Sequence, residues 1–401
     1  MQNAIGIQNL QAAQQGRGLE FLRRLRANGV AAYNLPMFDL IGILGPTCFL
    51  LPKSVHSPMP WLDSTMDLRK DPLKILPWAR SFLTVGLVYA NKIDEALKRH
   101  KCYLRIADYA ILRDYHKVLR NKIRHLVGFV KEGLDGILEN RPPTQNPTTK
   151  NPTSTSKFHL KYKIFVDSFP ISEKGLAIAT FGGTIGKNQL YHSALGSKIL
   201  LAGVALNLPV ATLQKILNKR TLVAFTYKHK NHPANPVAVA HSICYSCNLC
   251  VQACPTQALV PVTVQPKPQS RAKNTTSAKP VPSRLVHFKH ARCISYLTIE
   301  NPRPIPHYLQ RQMKNWLFGC DDCQDVCPYN KAKQITLTKQ ELEQRFGKVI
   351  SPVLYTRKAA RFSYHGFKKY FKGTPVLRQK YAVFKDRVGW YTKSRCALPA
   401  P

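Results

Sequence analysis

Acidic residues are scarce in this sequence of 401 residues, which has 21 Asp and Glu against 60 Lys and Arg. The formal net charge is +39, and no acid occurs between Glu173 and Glu300. Such an excess of positive charge is more than solubility requires and disfavours a basic partner. It predicts a polyanionic partner, with nucleic acid favoured over an anionic membrane surface, and a genome-wide basic bias is the alternative.

The sequence also lacks a long uninterrupted apolar run. Its most apolar windows, near residues 35–52 and 199–213, are too short or are broken by Gly and Pro, so we predict no transmembrane helix. The first 30 residues do not show the charged, apolar and small-residue order of a secretory signal, although an organelle transit peptide stays open. We therefore expect a cytoplasmic protein without membrane attachment.

Two segments have few large apolar residues and are rich in Pro, Thr, Asn or Lys. These segments, 141–156 and 261–283, are predicted to be surface inserts because they cannot bury enough apolar area to fold. Length and composition indicate two or three domains. We place their borders at residues 1–235, 236–335 and 336–401.

Local patterns predict several helices and strands. Apolar runs over Phe82–Tyr89 and Ile164–Val166 indicate buried strands, whereas helical spacing over Asp108–Asn140 indicates a helix. Thr338 precedes Glu341 by three residues, which is typical of a capping box at the start of a helix. Ser193–Leu208 is largely apolar, and its periodicity leaves strand and helix both open.

Cysteine is the residue type that carries the most chemical information. Eight of the eleven cysteines have the spacing of iron–sulfur ligands, and a structural zinc pair is the alternative that this spacing disfavours. The first half is Cys244-x2-Cys247-x2-Cys250-x3-Cys254-Pro, and the second is Cys293 followed by Cys320-x2-Cys323-x3-Cys327-Pro. Eight cluster ligands indicate a reducing compartment, and we interpret Cys48, Cys102 and Cys396 as incidental thiols.

The spacing also predicts which cysteines share a cluster. In bacterial runs of this type, the fourth cysteine binds the other cluster. The two predicted ligand sets are Cys244, Cys247, Cys250 with Cys327, and Cys254, Cys293, Cys320 with Cys323. A chain with two four-iron clusters transfers electrons, so the remaining question is what it reduces.

Several segments outside the cysteine runs resemble epoxyqueuosine reductase, a family of cobalamin-dependent iron–sulfur enzymes. These segments occur in the family's order across most of the chain. They are RKDPLKILP (69–77), RDYHKVLRN (113–121), FVDSFPISE (165–173), IGKN (185–188), RCISYLTIE (292–300) and FGCDDCQDVCPYN (318–330). The joint match of so many segments is more specific than any one motif.

The resemblance implies both a fold and an activity. The implied activity is reduction of the epoxide of epoxyqueuosine in tRNA to give queuosine, the last step of queuosine biosynthesis, with electrons passing from two [4Fe–4S] clusters to cobalamin. The implied fold is α+β. It has a cobalamin-binding α/β domain over residues 1–235, a ferredoxin-like two-cluster domain over 236–335, and a short basic helical tail.

The resemblance further implies individual site residues. Asp167 is the expected proton donor, and a carboxyl shielded from solvent would have a raised pKa and stay protonated near neutral pH. Cobalamin contacts are expected from Arg69, Gly183, Lys187, Asn188, Ser295 and Thr298. We interpret His116 as a residue of a charged helix surface and leave it out of the site.

The expected partners are the anticodon loop of a queuosine-type tRNA and an electron donor such as a flavodoxin or ferredoxin, and we expect a monomer. The expected tRNA contacts are Lys289, Arg292, Arg303, Lys368, Lys369 and Arg378. The Gly-rich stretch at 181–184 and the short C-terminal region depart from the family pattern. They leave two alternatives open, a reductive-dehalogenase-like corrinoid reductase of a small molecule and a non-catalytic ferredoxin-type electron-transfer or RNA-binding protein.

Overall fold

The computed structural model describes residues 38–45, 64–139, 158–193, 195–218, 244, 247–262, 286–331 and 336–395. The predictions about the insert at 141–156, about most of the insert at 261–283, and about Cys48 and Cys396 lie outside these ranges. The strands are β1 (Leu40–Leu44), β2 (Ser81–Val88), β3 (Tyr103–Ile106), β4 (Tyr162–Phe165), β5 (Thr184–Ile185), β6 (Tyr191–His192), β7 (Ile199–Leu206), β8 (Leu259–Pro261), β9 (Val286–Phe288), β10 (Trp316–Phe318) and β11 (Val353–Tyr355).

The α-helices are α1 (Met66–Lys70), α2 (Glu95–Lys98), α3 (Tyr115–Glu139), α4 (Glu173–Phe181), α5 (Val210–Asn218), α6 (Leu249–Ala253), α7 (Ile294–Ile299), α8 (His307–Gln312), α9 (Asp322–Asp325), α10 (Pro328–Lys331), α11 (Lys339–Phe346), α12 (Thr356–Ala360), α13 (Tyr364–Tyr370) and α14 (Tyr381–Arg395). Short 3-10 turns occur at Pro72–Lys74, His290–Arg292 and Pro375–Arg378. The predicted mixed class of helices and strands is confirmed.

The central sheet has the strand order β1-β2-β7-β4, and each neighbouring pair is antiparallel. All eight residues of β2 are buried, as expected for an apolar strand that is covered on both faces. The open choice over Ser193–Leu208 is decided by β7, an eight-residue strand that pairs along the whole of β2. The strand predicted near Ile164–Val166 is β4, which ends at Phe165.

Helices cover both faces of this sheet. Apolar residues of α3 at helical spacing, among them Leu119, Ile123 and Leu126, are buried in the main core. The other face is covered by α4, and there a side chain at Gly203 would lie 2.5 Å from the Phe165 ring. The predicted helix over Asp108–Asn140 begins later, at Tyr115, because residues 108–114 form turns that hold buried polar contacts.

A second sheet connects the three predicted domains. Its order is β10-β3-β11, so a strand of the cysteine region and a strand of the C-terminal region both pair with β3. The same hydrophobic cluster contains Leu83, Phe318 and Phe384. The capping box at Thr338 and Glu341 is confirmed at the start of α11. The domain borders stay a prediction, but the C-terminal region packs into the main core.

Among the described residues, no helix combines the length and the apolar character needed to cross a bilayer.

Candidate active site

Asp167 occupies a tight turn between β4 and α4. Its backbone φ is +58°, a left-handed conformation that non-glycine residues seldom adopt. The Asp167 backbone N–H donates a 2.6 Å hydrogen bond to Oε1 of Glu173, the first residue of α4. The next residue, Ser168, donates its N–H to the Val166 carbonyl at 2.6 Å. The turn is therefore held in an uncommon conformation by the helix that follows it.

Three donors surround one oxygen of the Asp167 carboxylate. The Tyr115 hydroxyl donates to Oδ2 at 3.2 Å, and Nε2 of His116 lies 3.3 Å from the same atom. The guanidinium of Arg378 approaches it to 3.9 Å. The Asp167 side chain is 52% exposed. The acid is thus fixed by neighbours from α3 and from the C-terminal region, while much of its surface stays accessible to a substrate.

His116 is bracketed by two carboxylates. Its Nδ1 lies 2.8 Å from Oδ1 of Asp114, and its Nε2 faces Asp167. Burial by itself lowers the pKa of His116, but the hydrogen bonds to Asp114 and then to Asp167 outweigh burial and raise the pKa to about 9. The sequence interpretation that left His116 out of the site was wrong, because its side chain is only 18% exposed and contacts the predicted proton donor.

The two carboxyl groups of the turn have opposite pKa shifts. The hydrogen bond from His116 lowers the pKa of Asp167 more than burial raises it, so the expected raised pKa of Asp167 was wrong. Burial, and then the charge of Asp167, raises the pKa of Glu173 to about 8. The carboxyl that holds its proton near neutral pH is therefore Glu173. Sequence reasoning missed this role because Glu173 has the local pattern of a helix start.

Two arginines complete the charged cluster around Asp167. Arg69 donates from Nε to Oγ1 of Thr65 at 3.0 Å, and the negative charges of Glu173 and Asp167 oppose the lowering of the Arg69 pKa by burial. Arg378 donates to Oε1 of Glu300 at 2.6 Å. Glu300 ends α7, the helix that begins directly after Cys293. Arg378 therefore connects the Asp167 site to the segment of a predicted cluster ligand.

Burial and neighbouring charges raise the pKa of several thiols among the eight predicted ligands. Burial first, and then the charges of Cys244, Cys247 and Cys327, raise the pKa of the Cys250 thiol to about 11. Burial likewise raises the pKa of three thiols of the other set, which influence one another and Cys254; they are Cys293, Cys320 and Cys323. The charge of Cys250, from the first set, also raises the pKa of the Cys323 thiol, so the assignment of ligands to two clusters stays a prediction. Thiols that influence one another in this way suit [4Fe–4S] clusters, whose iron stabilises the thiolate form.

The predicted cobalamin residue Lys187 instead faces a cysteine loop. Its Nζ donates to the Cys247 carbonyl at 3.0 Å and to Oδ1 of Asn248 at 2.8 Å. The side chain is buried. Lys187 thus joins the Gly-rich turn after α4 to the first cysteine run.

Ser295 and Thr298 lie on α7. The Ser295 side chain hydrogen-bonds the Cys293 sulfur and lowers the pKa of that thiol against the larger effect of burial. The Thr298 hydroxyl donates to the Ile294 carbonyl at 2.8 Å and accepts the N–H of Gly319 at 2.9 Å. Both residues therefore support the second cysteine set. Thr298 is buried between α7 and the end of β10.

The Gly-rich turn and Asn188 retain features that suit a large cofactor. A side chain at Gly182 would meet no atom within 4 Å, so the turn borders open space. Oδ1 of Asn188 lies 3.0 Å from Nε2 of His192, whereas its buried Nδ2 has no hydrogen-bond partner among the described residues. Gly183 is closed off by the His192 carbonyl, 2.3 Å from where its Cβ would lie. Asn188 is therefore a buried donor in position for a polar group of a ligand.

Comparison with known proteins relates these sites to families. Residues 69–168 match the family described as epoxyqueuosine reductase QueG, and residues 243–330 match a 4Fe-4S double cluster binding domain. An epoxyqueuosine reductase of Cyclobacterium marinum is 27% identical over 341 residues, which cover 84% of each chain. One of Xanthomonas campestris is 30% identical over 71% of this chain and 62% of its own length. This chain is similar to the epoxyqueuosine reductases.

Solved structures of epoxyqueuosine reductases have the same fold. One was determined with an epoxyqueuosine-modified stem loop of tyrosine tRNA; its TM-score is 0.58 at 20% identity, over 96% of this chain and 83% of that one. Another, from Bacillus subtilis, has an aspartate-bearing catalytic loop swung out of the active site, with a TM-score of 0.57 at 19% identity and the same coverage. The predicted resemblance and the double-cluster domain are confirmed.

The epoxyqueuosine reductase match includes part of the charged cluster around Asp167. Arg69, His116 and Asp167 lie within residues 69–168, whereas Glu173 and Arg378 lie beyond them. Sequence comparison placed Glu173 in the segment FVDSFPISE and named Arg378 as a tRNA contact, but it gave neither residue a role beside Asp167. The fold brings Arg378 to Asp167 across 211 positions of sequence.

Proposed function

We propose that the chain is an epoxyqueuosine reductase that converts epoxyqueuosine to queuosine in tRNA. The observation that carries the proposal is the position of Arg378, which lies against both Asp167 and Glu300. The six residues of α7, about 9 Å at 1.5 Å per residue, separate Glu300 from Cys293. Arg378 thus connects the accessible acid to the helix that follows a predicted cluster ligand, and this connection supports a reductive deoxygenation.

The electrons would come from two [4Fe–4S] clusters and cobalamin. When bound, these groups supply low-potential electrons that no amino-acid side chain provides. Cys244, Cys247, Cys250 and Cys327 would hold one cluster, and the set of Cys254, Cys293, Cys320 and Cys323 the other. The proposed cobalamin contacts are those that the resemblance implies, of which Lys187 and Ser295 also contact the cysteine loops; they are Arg69, Gly183, Lys187, Asn188, Ser295 and Thr298. Reduced thiolates of this kind favour a reducing compartment such as the cytoplasm.

Asp167 is the proposed proton donor to the departing oxygen. An alkoxide is a poor leaving group, so the carbon–oxygen bond breaks more easily as the oxygen receives a proton. Oδ2 of Asp167 is engaged by Tyr115 and His116, and half of the side chain remains exposed. Arg69 and Glu173 hold the turn behind it. The protein thus aims one carboxyl group at an accessible site.

A tRNA partner explains the strongly basic surface. Each phosphate contact by Lys or Arg releases counterions, so affinity would fall steeply as salt is added. Arg303, Lys368 and Lys369 are exposed and are proposed contacts, and the modified base would leave its stack to reach Asp167. The electron donor would be a flavodoxin or ferredoxin, and the proposed enzyme acts as a monomer.

The decisive experiment is turnover by protein reconstituted anaerobically with iron, sulfide and cobalamin. Epoxyqueuosine-containing tRNA is incubated with reductant, digested, and its nucleosides are quantified by mass spectrometry. We expect queuosine to replace epoxyqueuosine, with Asp167→Asn as the inactive control. Cells that lack the gene should accumulate epoxyqueuosine in their tRNA.

Two results would contradict the proposal. Reconstituted protein that holds about eight irons and cobalamin but leaves epoxyqueuosine unchanged would favour the small-molecule reductase. Protein that holds clusters but takes up no cobalamin would favour the electron-transfer alternative.

A further inference from the structure

The proposed reaction requires two protons, whereas the lowered pKa of Asp167 leaves its carboxyl group ionised near neutral pH. Converting an epoxide to an alkene breaks two carbon–oxygen bonds, consumes two electrons from the clusters, and releases the oxygen as water with two protons. A single carboxyl group transfers one proton at a time and must then be reloaded. If the proposed function is correct, a proton source must therefore lie within reach of Asp167.

His116 is the neighbour of Asp167 that is able to release a proton. Among the described residues, the side chains within 3.5 Å of the Asp167 carboxylate are those of Tyr115 and His116. Burial raises the pKa of Tyr115, so its hydroxyl keeps its proton. Arg378, at 3.9 Å, bears a guanidinium that does not deprotonate in proteins. This leaves the imidazole.

The geometry indicates that the imidazole carries two protons at rest. A neutral histidine has one donor and one acceptor nitrogen, whereas the imidazolium has two donors. Both nitrogens of His116 face carboxylate oxygens, Asp114 at 2.8 Å and Asp167 at 3.3 Å. Asp114 also accepts the backbone N–H of His116 at 3.1 Å, which fixes the residue at the start of α3. The stacked ring of Tyr115 covers one face of the imidazole.

We propose that His116 supplies protons to Asp167 during epoxide reduction. The N–H bond at Nε2 of His116 breaks and its proton moves to Oδ2 of Asp167, and Asp167 then gives a proton to the leaving oxygen and returns to the carboxylate. The neutral imidazole then regains a proton from solvent, to which 18% of its side chain is exposed. No electron passes through His116. His116 does not contact the substrate in this scheme; it acts through Asp167 as a positioning residue that supplies the proton.

The charged groups around His116 and Asp167 are consistent with proton transfer from His116 to Asp167. Asp114, directly before α3, stabilises the imidazolium, and the hydrogen bond from His116 lowers the pKa of Asp114. Glu173, on α4, and Arg378, in the C-terminal region, face Asp167 from the other side. A negative charge that grows on the substrate oxygen raises the proton affinity of Asp167, which draws the proton from His116.

The test compares His116→Gln with His125→Gln in the reconstituted holoenzyme. Glutamine keeps a hydrogen-bond donor but cannot deliver a proton, and His125 is an exposed histidine on the same helix. Single-turnover rates are measured from pH 6 to pH 9 with saturating tRNA. We expect His116→Gln to react roughly 100-fold more slowly at pH 8 and His125→Gln to match the native rate.

The shape of the pH profile distinguishes proton supply from a merely structural role. The native rate should be flat from pH 6 to 8, because the imidazolium persists there. In His116→Gln, Asp167 is protonated by solvent alone, so the rate should rise about tenfold for each pH unit lowered. A variant with the native profile, whether at the native rate or at a uniformly lower one, would overturn the inference.

A second measurement does not depend on turnover. In ¹³C-histidine-labelled protein, the signal that is missing from His116→Gln should titrate near pH 9 and return toward about 6.5 in Asp114→Asn. Titration near 6.5 in a native enzyme that reduces epoxyqueuosine would overturn this inference and leave the proposed function intact. Native holoenzyme without turnover would overturn both.

Discussion

Two clusters of charged side chains in this protein contain an aspartate between cations, but the two aspartates differ in burial and in role. Asp108 is 1% exposed and lies between Lys98 at 3.0 Å and Lys198 at 2.6 Å. Asp167 is 52% exposed and meets its neighbours at 3.2 Å or more. Each carboxylate oxygen of Asp108 accepts a hydrogen bond from a buried lysine, whereas Asp167 retains accessible surface.

The Asp108 cluster is a structural connection. The Asp108 backbone N–H donates to Oδ2 of Asp321 at 2.7 Å, and Lys198 also reaches Asp325 at 2.8 Å. Asp321 lies between the predicted ligands Cys320 and Cys323, so the cluster ties the central sheet to the second cysteine loop. The comparison shows that a fully buried and paired carboxylate serves to hold elements together, whereas a partly exposed one remains accessible to a substrate.

The largest expected effect is on the rate of the exposed aspartate. Asp167→Asn should lower turnover by roughly 10²- to 10⁴-fold, because the amide cannot deliver a proton. Asparagine tolerates a positive φ, so the turn should persist and the melting temperature should stay close to native. Turnover and thermal unfolding are measured on the same reconstituted sample. Native turnover in this variant would contradict the proposed role of the exposed Asp167 as proton donor.

The matched change in the buried cluster should affect stability. Asp108→Asn leaves two buried ammonium groups without their shared carboxylate and should cost about 3–5 kcal/mol in the free energy of unfolding. Chemical denaturation of anaerobic protein measures this cost, and Asp167→Asn is the control. A cost below about 1 kcal/mol would show that the buried charges are less essential than their burial implies.

A third prediction concerns the pH dependence of stability. The folded pKa of His116, about 9, is above its unfolded value, so its stabilising effect is complete below about 6.5 and is lost as pH rises through 9. The stability difference between native protein and His116→Gln should therefore shrink from pH 6 to pH 9.5. Glu173, with a folded pKa of about 8, loses its contribution from about 4.5 to 8 in both proteins. A constant difference across pH would contradict an imidazolium.

The smallest expected effect is at Arg378. Its side chain is 48% exposed and lies 3.9 Å from Asp167, so Arg378→Gln should cost at most about 1 kcal/mol, roughly fivefold in kcat/KM. Lys380→Gln, two residues further and exposed, is the control for a general loss of positive charge. Equal losses in both variants at low salt would mean that Arg378 acts through the surface potential alone.

Local pattern accounts for much of the fold. An unbroken apolar run predicted β2, and the three-residue spacing from Thr338 to Glu341 predicted the start of α11. The same reasoning placed the first residue of α3 too early, because the turns before Tyr115 are held by long-range contacts of Asp108. Contacts between near neighbours are encoded in short segments, whereas those between distant segments are not.

The sequence by itself determined the chemistry that a few adjacent residues carry, namely the spacing of cluster-type cysteines, the excess of positive charge and the acid at Asp167. Only the tertiary structure decided which groups act on that acid. His116 and Glu173 contact Asp167 because the fold brings their elements together, and Arg378 reaches the site from the C-terminal region. The physical reason is that a proton affinity depends on burial and on charges within a few ångströms, and these are properties of packing rather than of local order.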